Sequence, residues 1–108
     1  MEIRVSTRHG DIPETVQQTI NQKVRKLPKF FDRVTSIEVL VDLENTQSPK
    51  VEVKISAEET SDFFAADTGT NVVSATESVV QKLERQLRKH KEKITGHRGK
   101  SSRNVEIE

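Results

Sequence analysis

One stretch organises the fold of this chain, residues 71–94, which read NVVSATESVVQKLERQLRKHKEKI. A helix turns by about 100° per residue, so side chains that recur every three or four positions fall on one face. The recurring residues in this stretch form a mostly aliphatic stripe: Val72, Thr76, Val79, Leu83, Leu87, His90 and Ile94. The pattern predicts a long amphipathic helix whose apolar stripe lies against a hydrophobic core.

The second half of this predicted helix and the residues after it hold a surplus of positive charge. From Lys82 to Arg103 there are nine basic residues against two acidic ones, whereas the whole chain has a net charge of only +1. A plain solvated helix face is the alternative explanation, but a helix dipole favours cations only within the last turn. Because the basic residues continue well beyond one turn, the charge predicts a polyanionic partner such as RNA.

The basic residues of the helix fall on two sides of its apolar stripe. One flank holds Lys82, Arg85, Lys89 and Lys93, and the other holds Arg88 and Lys91. Lys23 and Lys26, near the end of an earlier predicted helix, are expected on the same side of the molecule as the first flank. We expect these cations to contact phosphates, because each neutralised phosphate releases counterions and adds affinity without any reading of base sequence.

Before residue 71 the hydrophobic pattern indicates four strands and one more helix. The strands are predicted at residues 2–7, 34–44, 51–57 and 63–66, and the helix follows Pro13 with the apolar stripe Val16, Ile20, Val24, Leu27 and Phe31. Pro28 should end or distort its last turn, residues 67–71 should form a loop and helix cap, and strand 34–44 should present an acidic face to solvent. The predicted fold is α+β in the order βαβββα, with a four-stranded sheet and two helices packed on one face. We expect the first strand to lie parallel to the second, joined to it through a right-handed crossover.

The composition describes one domain with a thin aliphatic core. Of the 108 residues, 31% are hydrophobic and 4% aromatic, which favours a surface binder over an enzyme with an enclosed pocket. The absence of cysteine excludes disulfides, thiolate nucleophiles and zinc–cysteine sites. No apolar run resembles a signal peptide or a membrane span, which predicts a cytoplasmic protein. We expect no cofactor, no metal, no small-molecule substrate, no membrane partner and a monomer when the protein is free.

Residues 82–93, KLERQLRKHKEK, resemble the signature helix of the ribosome hibernation-promoting factors, also called ribosome-associated inhibitor A or sigma-factor modulation proteins. Further parts of that family are matched by residues 6–9, STRH, and by residues 26–27, KL, followed by residues 30–33, FFDR. The resemblance spans about residues 2–95. It implies a double-stranded-RNA-binding-like domain over residues 1–95, which binds the ribosome, and we expect a flexible tail over residues 96–108.

The resemblance also implies a partner and a function. Members of the family bind the small ribosomal subunit and its RNA near the decoding region, cover the messenger path and the tRNA sites, and silence idle ribosomes. On this basis Arg8 and His90 join the candidate RNA contacts. The chain departs from the family at residues 71–77, where the family usually has an acidic residue, Met and Tyr before Ala-Ala-Ile-Asp. The given residues end at Glu108, and we expect a short form rather than a long member with a C-terminal dimerisation domain.

Other signals in the sequence point to different functions. Residues 67–69, DTG, match the catalytic triplet of aspartic proteases, but those enzymes are almost wholly β, so we expect Asp67 to be a turn residue. Residues 96–99, GHRG, match the loop of a KH domain, which must join two helices. The three histidines lack the spacing of metal ligands, and no catalytic residue is expected. A general double-stranded-RNA-binding module or a sigma-factor modulator is the alternative function.

Overall fold

The structure is a computed structural model that describes the backbone of residues 1–95 and the side chains of residues 1–91. The elements in chain order are β1 (Glu2–Arg8), α1 (Glu14–Val24), β2 (Val34–Asp42), β3 (Lys50–Ala57), β4 (Phe63–Thr68) and α2 (Val72–Thr95). A short 3-10 helix, Leu27–Phe30, follows α1. The predicted flexible tail and the GHRG sequence, residues 96–108 and 96–99, lie outside the described residues.

The four strands form one mixed sheet in the order β1-β2-β3-β4. β1 pairs with β2 in parallel, as expected for strands joined through a crossover helix, and the other two pairs are antiparallel. One row crosses the sheet through Val5, Val39, Val53 and Ala65, and these side chains face the helices. Side chains alternate along each strand, so the residues between these point to the opposite face of the sheet. That face is open to solvent. The predicted fold class is confirmed.

Helix α2 covers the apolar face of the sheet with the stripe that its spacing predicts. Val79, Leu83 and Leu87 are fully buried, and burial of each such side chain contributes about 1.5–3 kcal/mol. Thr76 is also fully buried, and its hydroxyl donates a hydrogen bond to the Val72 carbonyl at 2.8 Å, which satisfies this polar group inside the core. Within residues 1–95, no helix combines the length and the apolar character needed to cross a membrane.

The start of α2 is fixed by a cap and by close packing. The Asn71 side-chain oxygen accepts a hydrogen bond from the Ser74 amide at 2.8 Å. A Cβ atom on Gly69 would lie 2.7 Å from the Ala75 amide nitrogen, so the chain approaches the helix too closely for any larger residue there. The predicted loop is shorter than expected because β4 continues through residues 67 and 68. Asp67 is therefore a strand residue, and its predicted place in a turn is wrong.

The end of α1 also differs from the prediction, for a local reason. The helix ends at Val24, and the Arg25 amide still donates to the Asn21 carbonyl at 3.0 Å. Pro28 lies at the start of the following 3-10 helix rather than in the last turn of α1. A proline is tolerated there because the first turn of a helix needs no donor from it. This short helix leads the chain to Phe31, which is buried in the core.

Candidate nucleic-acid interface

The flank of α2 that faces β4 is attached to the edge of the sheet by two side chains. Lys82 Nζ lies 3.1 Å from the Ala66 carbonyl oxygen and 3.3 Å from an Asp67 carboxylate oxygen. One turn further on, Gln86 Nε2 donates to the Phe64 carbonyl at 3.0 Å. Edge strands are prone to pair with other chains, and donors from a neighbouring helix help to cover them. Lys82 therefore has a structural role that its position in a basic row does not reveal.

Asp67 on β4 lies beside groups that favour its ionised form. Its pKa is lowered, first because its carboxylate accepts a hydrogen bond from the Thr68 amide at 2.8 Å, and second because Lys82 lies beside it. An aspartic protease needs two adjacent carboxylates that share one proton. At Asp67 the neighbouring charge is an ammonium group, so the surroundings of this residue do not match those of the protease triplet.

The opposite flank of α2 faces α1 and the 3-10 helix, and it is built from ion pairs. Lys23 Nζ on α1 lies 2.8 Å from Glu77 Oε2. Arg88 Nη2 lies 3.0 Å from Glu84 Oε2, the pair expected from their i, i+4 spacing. The Arg88 guanidinium also lies over the Phe30 ring, 4.9 Å from its centroid. Two of the predicted RNA contacts, Lys23 and Arg88, thus already have acidic partners on α2.

Three of the predicted RNA contacts are exposed and have no ion-pair partner within the described part of the chain: Lys26, Arg85 and Lys89. Arg85 and Lys89 lie one helical turn apart on the solvent side of α2, and Lys26 lines the groove between α1 and α2. Lys29 on the 3-10 helix was not among the predicted contacts, but it is also exposed and has no ion-pair partner within the described residues. Lys91 is exposed. Lys93 lies in the last turns of α2, and its side chain is outside the described residues.

The predicted basic row does not form one continuous surface with α1. Lys82 points to the β4 edge, whereas Lys23 pairs with Glu77 on the other flank of α2. Helical spacing determines which residues share a flank, but it does not determine which element lies beside that flank. Because α1 packs beside the flank that carries Glu77, the two sets of cations are on different sides of α2.

His90 closes one end of the hydrophobic core. Its half-buried ring lies edge-on to Phe31 and to Phe63, with centroid distances of 5.1 Å and 5.3 Å. Such edge contacts between rings stabilise the packing beyond the area that they bury. The imidazole thus packs against the core, as its place on the apolar stripe predicts, and its contact with RNA stays a prediction.

Arg8 lies on the open face of the sheet, away from the other predicted contacts. Its guanidinium donates to Asp42 at 2.8 Å, and His9 Nδ1 lies 2.9 Å from the same carboxylate. The pKa of Asp42 is therefore far below its usual range, mainly because of the hydrogen bonds from His9 and Arg8 and also because of the Glu44 amide. Potential metal-ligand atoms of His9, Asp42 and Glu44 lie within 4.8 Å of one another, but this hydrogen-bond network already uses the Asp42 oxygens.

The outward-facing charged residues of β2 are acidic, as predicted, but the open face of the sheet as a whole carries both signs of charge. Its charged residues are Glu2, Glu38, Asp42 and Glu52 together with Arg4, Arg8, Lys50 and Lys54. Lys54 Nζ lies 3.6 Å from Glu38, and Lys50 Nζ lies 3.5 Å from Glu52. The acidic residues of β2 are balanced because β1 and β3 place basic residues beside them. Phe64 on β4 is 54% exposed at the margin of this face.

A four-stranded sheet with a cation-rich helix layer on one face and a charge-balanced open face places the chain among small α+β domains of βαβββα order. The model of the family described as sigma 54 modulation protein / S30EA ribosomal protein matches residues 3–95. The chain therefore belongs to this family, and the family expected from residues 82–93 is confirmed.

Several relatives cover most of the chain. The ribosome hibernation promoting factor of Escherichia coli strain K12 is 26% identical over 98 residues, which are 90% of this chain and 100% of that protein. The protein of the same name from Azotobacter vinelandii is 28% identical over 93 residues, 86% of this chain and 85% of that protein. These names agree with hibernation and do not favour a general duplex-RNA module.

Two solved structures share the fold. A ribosomal subunit interface protein from Coxiella burnetii superposes with a TM-score of 0.76 at 20% identity, over 84% of this chain and 98% of that chain. The N-terminal domain of protein Y from Thermus thermophilus gives a TM-score of 0.73 at 16% identity, over 83% of this chain and 99% of that chain. At these identities the likeness concerns the fold alone.

Proposed function

We propose that this chain is a ribosome hibernation factor that binds ribosomes and inhibits translation in idle cells. The observation that carries the proposal is the family match over residues 3–95, with relatives named ribosome hibernation promoting factor over most of the chain. The domain over residues 1–95 is the ribosome-binding unit in this proposal, and it acts in the cytoplasm, where ribosomes are.

The contact surface in this proposal is the helix layer, and its target is the RNA of the small subunit near the decoding region. Arg85 and Lys89 support this choice, because like charges spaced i, i+4 destabilise a helix by about 0.2–0.5 kcal/mol when nothing compensates them. A phosphate between them would turn that repulsion into two attractions. Lys26 is a third unpaired cation, but it lines the groove between α1 and α2 together with Glu77 and Glu84, so the phosphate contacts of this proposal are centred on Arg85 and Lys89. A lattice of phosphates satisfies such a surface without base reading, which suits a chain that has no Trp or Tyr.

The remaining predicted contacts contribute less to RNA binding in this proposal. Lys23, Lys82 and Arg88 each have an acidic neighbour, so they reach a phosphate only by exchanging that partner. Lys91, Lys93, His90 and Arg8 complete the predicted set. Bound in this way, the domain blocks the messenger path and the tRNA sites by occupying them, as a monomer and without catalysis or a cofactor.

The test is a competition between ribosomal and free RNA. The protein is mixed with purified small subunits at physiological salt and centrifuged, with and without unrelated duplex RNA at an equal concentration of phosphate, and translation is measured in a purified system. We expect cosedimentation with small subunits, resistance to the duplex competitor and inhibition of translation. If the competitor removes the protein at equal phosphate concentration, the general duplex-RNA function is correct instead.

A further inference from the structure

Two carboxylates lie inside the proposed RNA-binding surface. Glu77 and Glu84 are two helical turns apart on the flank of α2 that faces α1, and both line the groove that also contains Lys23 and Lys26. Glu77 is paired with Lys23 at 2.8 Å, and Glu84 is paired with Arg88 at 3.0 Å. A surface selected only for affinity to RNA would not carry negative charge at this place.

The two ion pairs are only partly buried, so their contribution to stability should be small. The side chains of Lys23 and Glu77 are 25% and 53% exposed, and those of Arg88 and Glu84 are 60% and 34% exposed. The core of α2 is made by the residues on its apolar stripe, which lie on another side of the helix. The two glutamates therefore act mainly on whatever approaches the groove.

A phosphate that enters the groove to reach Lys23 or Lys26 comes within a few ångströms of a carboxylate. At such a separation, in a well-solvated site, the repulsion lowers affinity by about threefold to tenfold for each carboxylate. Arg85 and Lys89 have no acidic partner in the described part of the chain, so phosphates placed there avoid this repulsion. Unrelated RNA can settle anywhere on the surface, whereas a partner of fixed shape can hold its phosphates away from the groove.

We infer that Glu77 and Glu84 are specificity-determining residues that keep the phosphates of unrelated RNA out of the α1–α2 groove. This inference rests on the proposed function, because it takes the ribosome as the partner that the surface must recognise. It gives these two acidic residues a role beyond the small contribution of their ion pairs to stability.

The experiment compares two double variants with the same change in charge. Glu77→Gln with Glu84→Gln removes the carboxylates of the groove and keeps side chains of nearly the same size. Glu38→Gln with Glu52→Gln is the matched control, because these carboxylates lie on the open face of the sheet and also lie beside lysines, Lys54 and Lys50. The affinity of each protein is measured for an unrelated RNA duplex of about 16 base pairs and for purified ribosomes, at one salt concentration.

We expect the groove variant to bind the duplex at least about tenfold more tightly than the parent, and to bind ribosomes within about threefold of the parent. The control variant should gain less than about threefold for the duplex. Equal gains for the two variants would show an effect of net charge alone and would overturn the inference. An equal gain of the groove variant for duplex and ribosome would overturn it as well.

Failure of the proposed function would give a different binding result in the same experiment. A parent protein that does not bind ribosomes refutes the proposed function, and the inference about ribosome selectivity is overturned together with it. If the parent binds ribosomes and only the duplex gain is missing, the proposed function stands and the inference alone is wrong.

Discussion

The helix layer and the open face of the sheet are both densely charged, but they differ in how those charges are neutralised. On the sheet, β1, β2 and β3 place opposite charges side by side, as in the row Arg4, Glu38 and Lys54. Neighbouring strands are about 5 Å apart, so such charges compensate one another. On α2, Arg85 has a like charge, Lys89, as its i+4 neighbour. The feature that supports the proposed interface for a polyanion is therefore unpaired charge, rather than the number of charged residues.

The largest effect should come from reversing the unpaired charges. Arg85→Glu with Lys89→Glu should weaken ribosome binding by at least about 100-fold, because two attractions to phosphate become repulsions. The fold should persist, since exposed substitutions usually change the free energy of unfolding by about 0.5 kcal/mol or less. Binding is measured by cosedimentation and the fold by circular dichroism.

The matched control for this reversal lies on the open face of the sheet. Lys50→Glu with Lys54→Glu changes the net charge by the same amount and should leave ribosome binding within about threefold of the parent, apart from long-range effects that salt screens. If both variants lose binding equally, or if the helix variant inhibits translation at the parental concentration, the site assignment is wrong.

The next effect concerns the salt dependence of binding. If about five to eight phosphates are neutralised, log K should fall against log salt with a slope of roughly −4 to −7. Arg85→Gln with Lys89→Gln should make this slope shallower by about two, because two phosphate contacts are lost. Lys50→Gln with Lys54→Gln should leave the slope unchanged. A parental slope near zero would contradict an electrostatic interface.

A smaller effect should separate the two flanks of α2. Lys89→Gln should weaken ribosome binding by about threefold to tenfold and leave stability unchanged, because Lys89 is exposed and unpaired within the described residues. Lys82→Gln should instead lower the free energy of unfolding by about 0.5–1.5 kcal/mol, since it loses the hydrogen bond to the Ala66 carbonyl. Urea denaturation and ribosome binding are measured on both variants. The opposite result, with Lys82 important only for binding, would show that its contacts with β4 have no structural value.

The fold was predictable from the sequence because the spacing of apolar residues shows which face of each element is buried. Ile37, Val39 and Val41 alternate in β2, and Leu83 and Leu87 recur at helical spacing in α2, so both the type of element and its inward side follow from local pattern. The end of β4 did not follow. Asp67 resembles a turn residue locally, and the contact that helps to keep it in the strand comes from Lys82, which lies 15 positions later in the chain.

The candidate site was predictable in part, for a related reason. The basic residues can be read directly from the sequence. Three of them, Lys26, Arg85 and Lys89, are exposed as expected. The sequence does not show which carboxylate lies beside each basic residue, because that depends on how α1 and β4 pack beside α2. Lys23 and Glu77 are far apart in sequence and meet only in the folded chain, so the division of the cations into paired and unpaired sets is visible only in three dimensions.

The smallest effect should appear in acid, where two aspartates on different surfaces titrate. The pKa values of Asp67 and Asp42 are both lowered, the first mainly by the Thr68 amide and the second mainly by His9 and Arg8. A lowered pKa stabilises the fold at pH values above the unfolded pKa of about 3.9. That stabilisation is lost as the pH falls through the folded pKa. Asp67→Asn and Asp42→Asn should therefore each flatten the dependence of stability on pH below about pH 4.

These two aspartate variants complete the comparison between the helix layer and the sheet face. The effect on stability should be greater for Asp42→Asn, because the Asp42 side chain is only 12% exposed and binds three donors. At neutral pH both variants should inhibit translation like the parent, because a carboxylate does not attract phosphate. Thermal unfolding from pH 2.5 to 7 and the translation assay measure the two quantities. Peptide cleavage by the parent that pepstatin blocks and Asp67→Asn abolishes would show that Asp67 is catalytic after all, and that its ion pair with Lys82 is not its function.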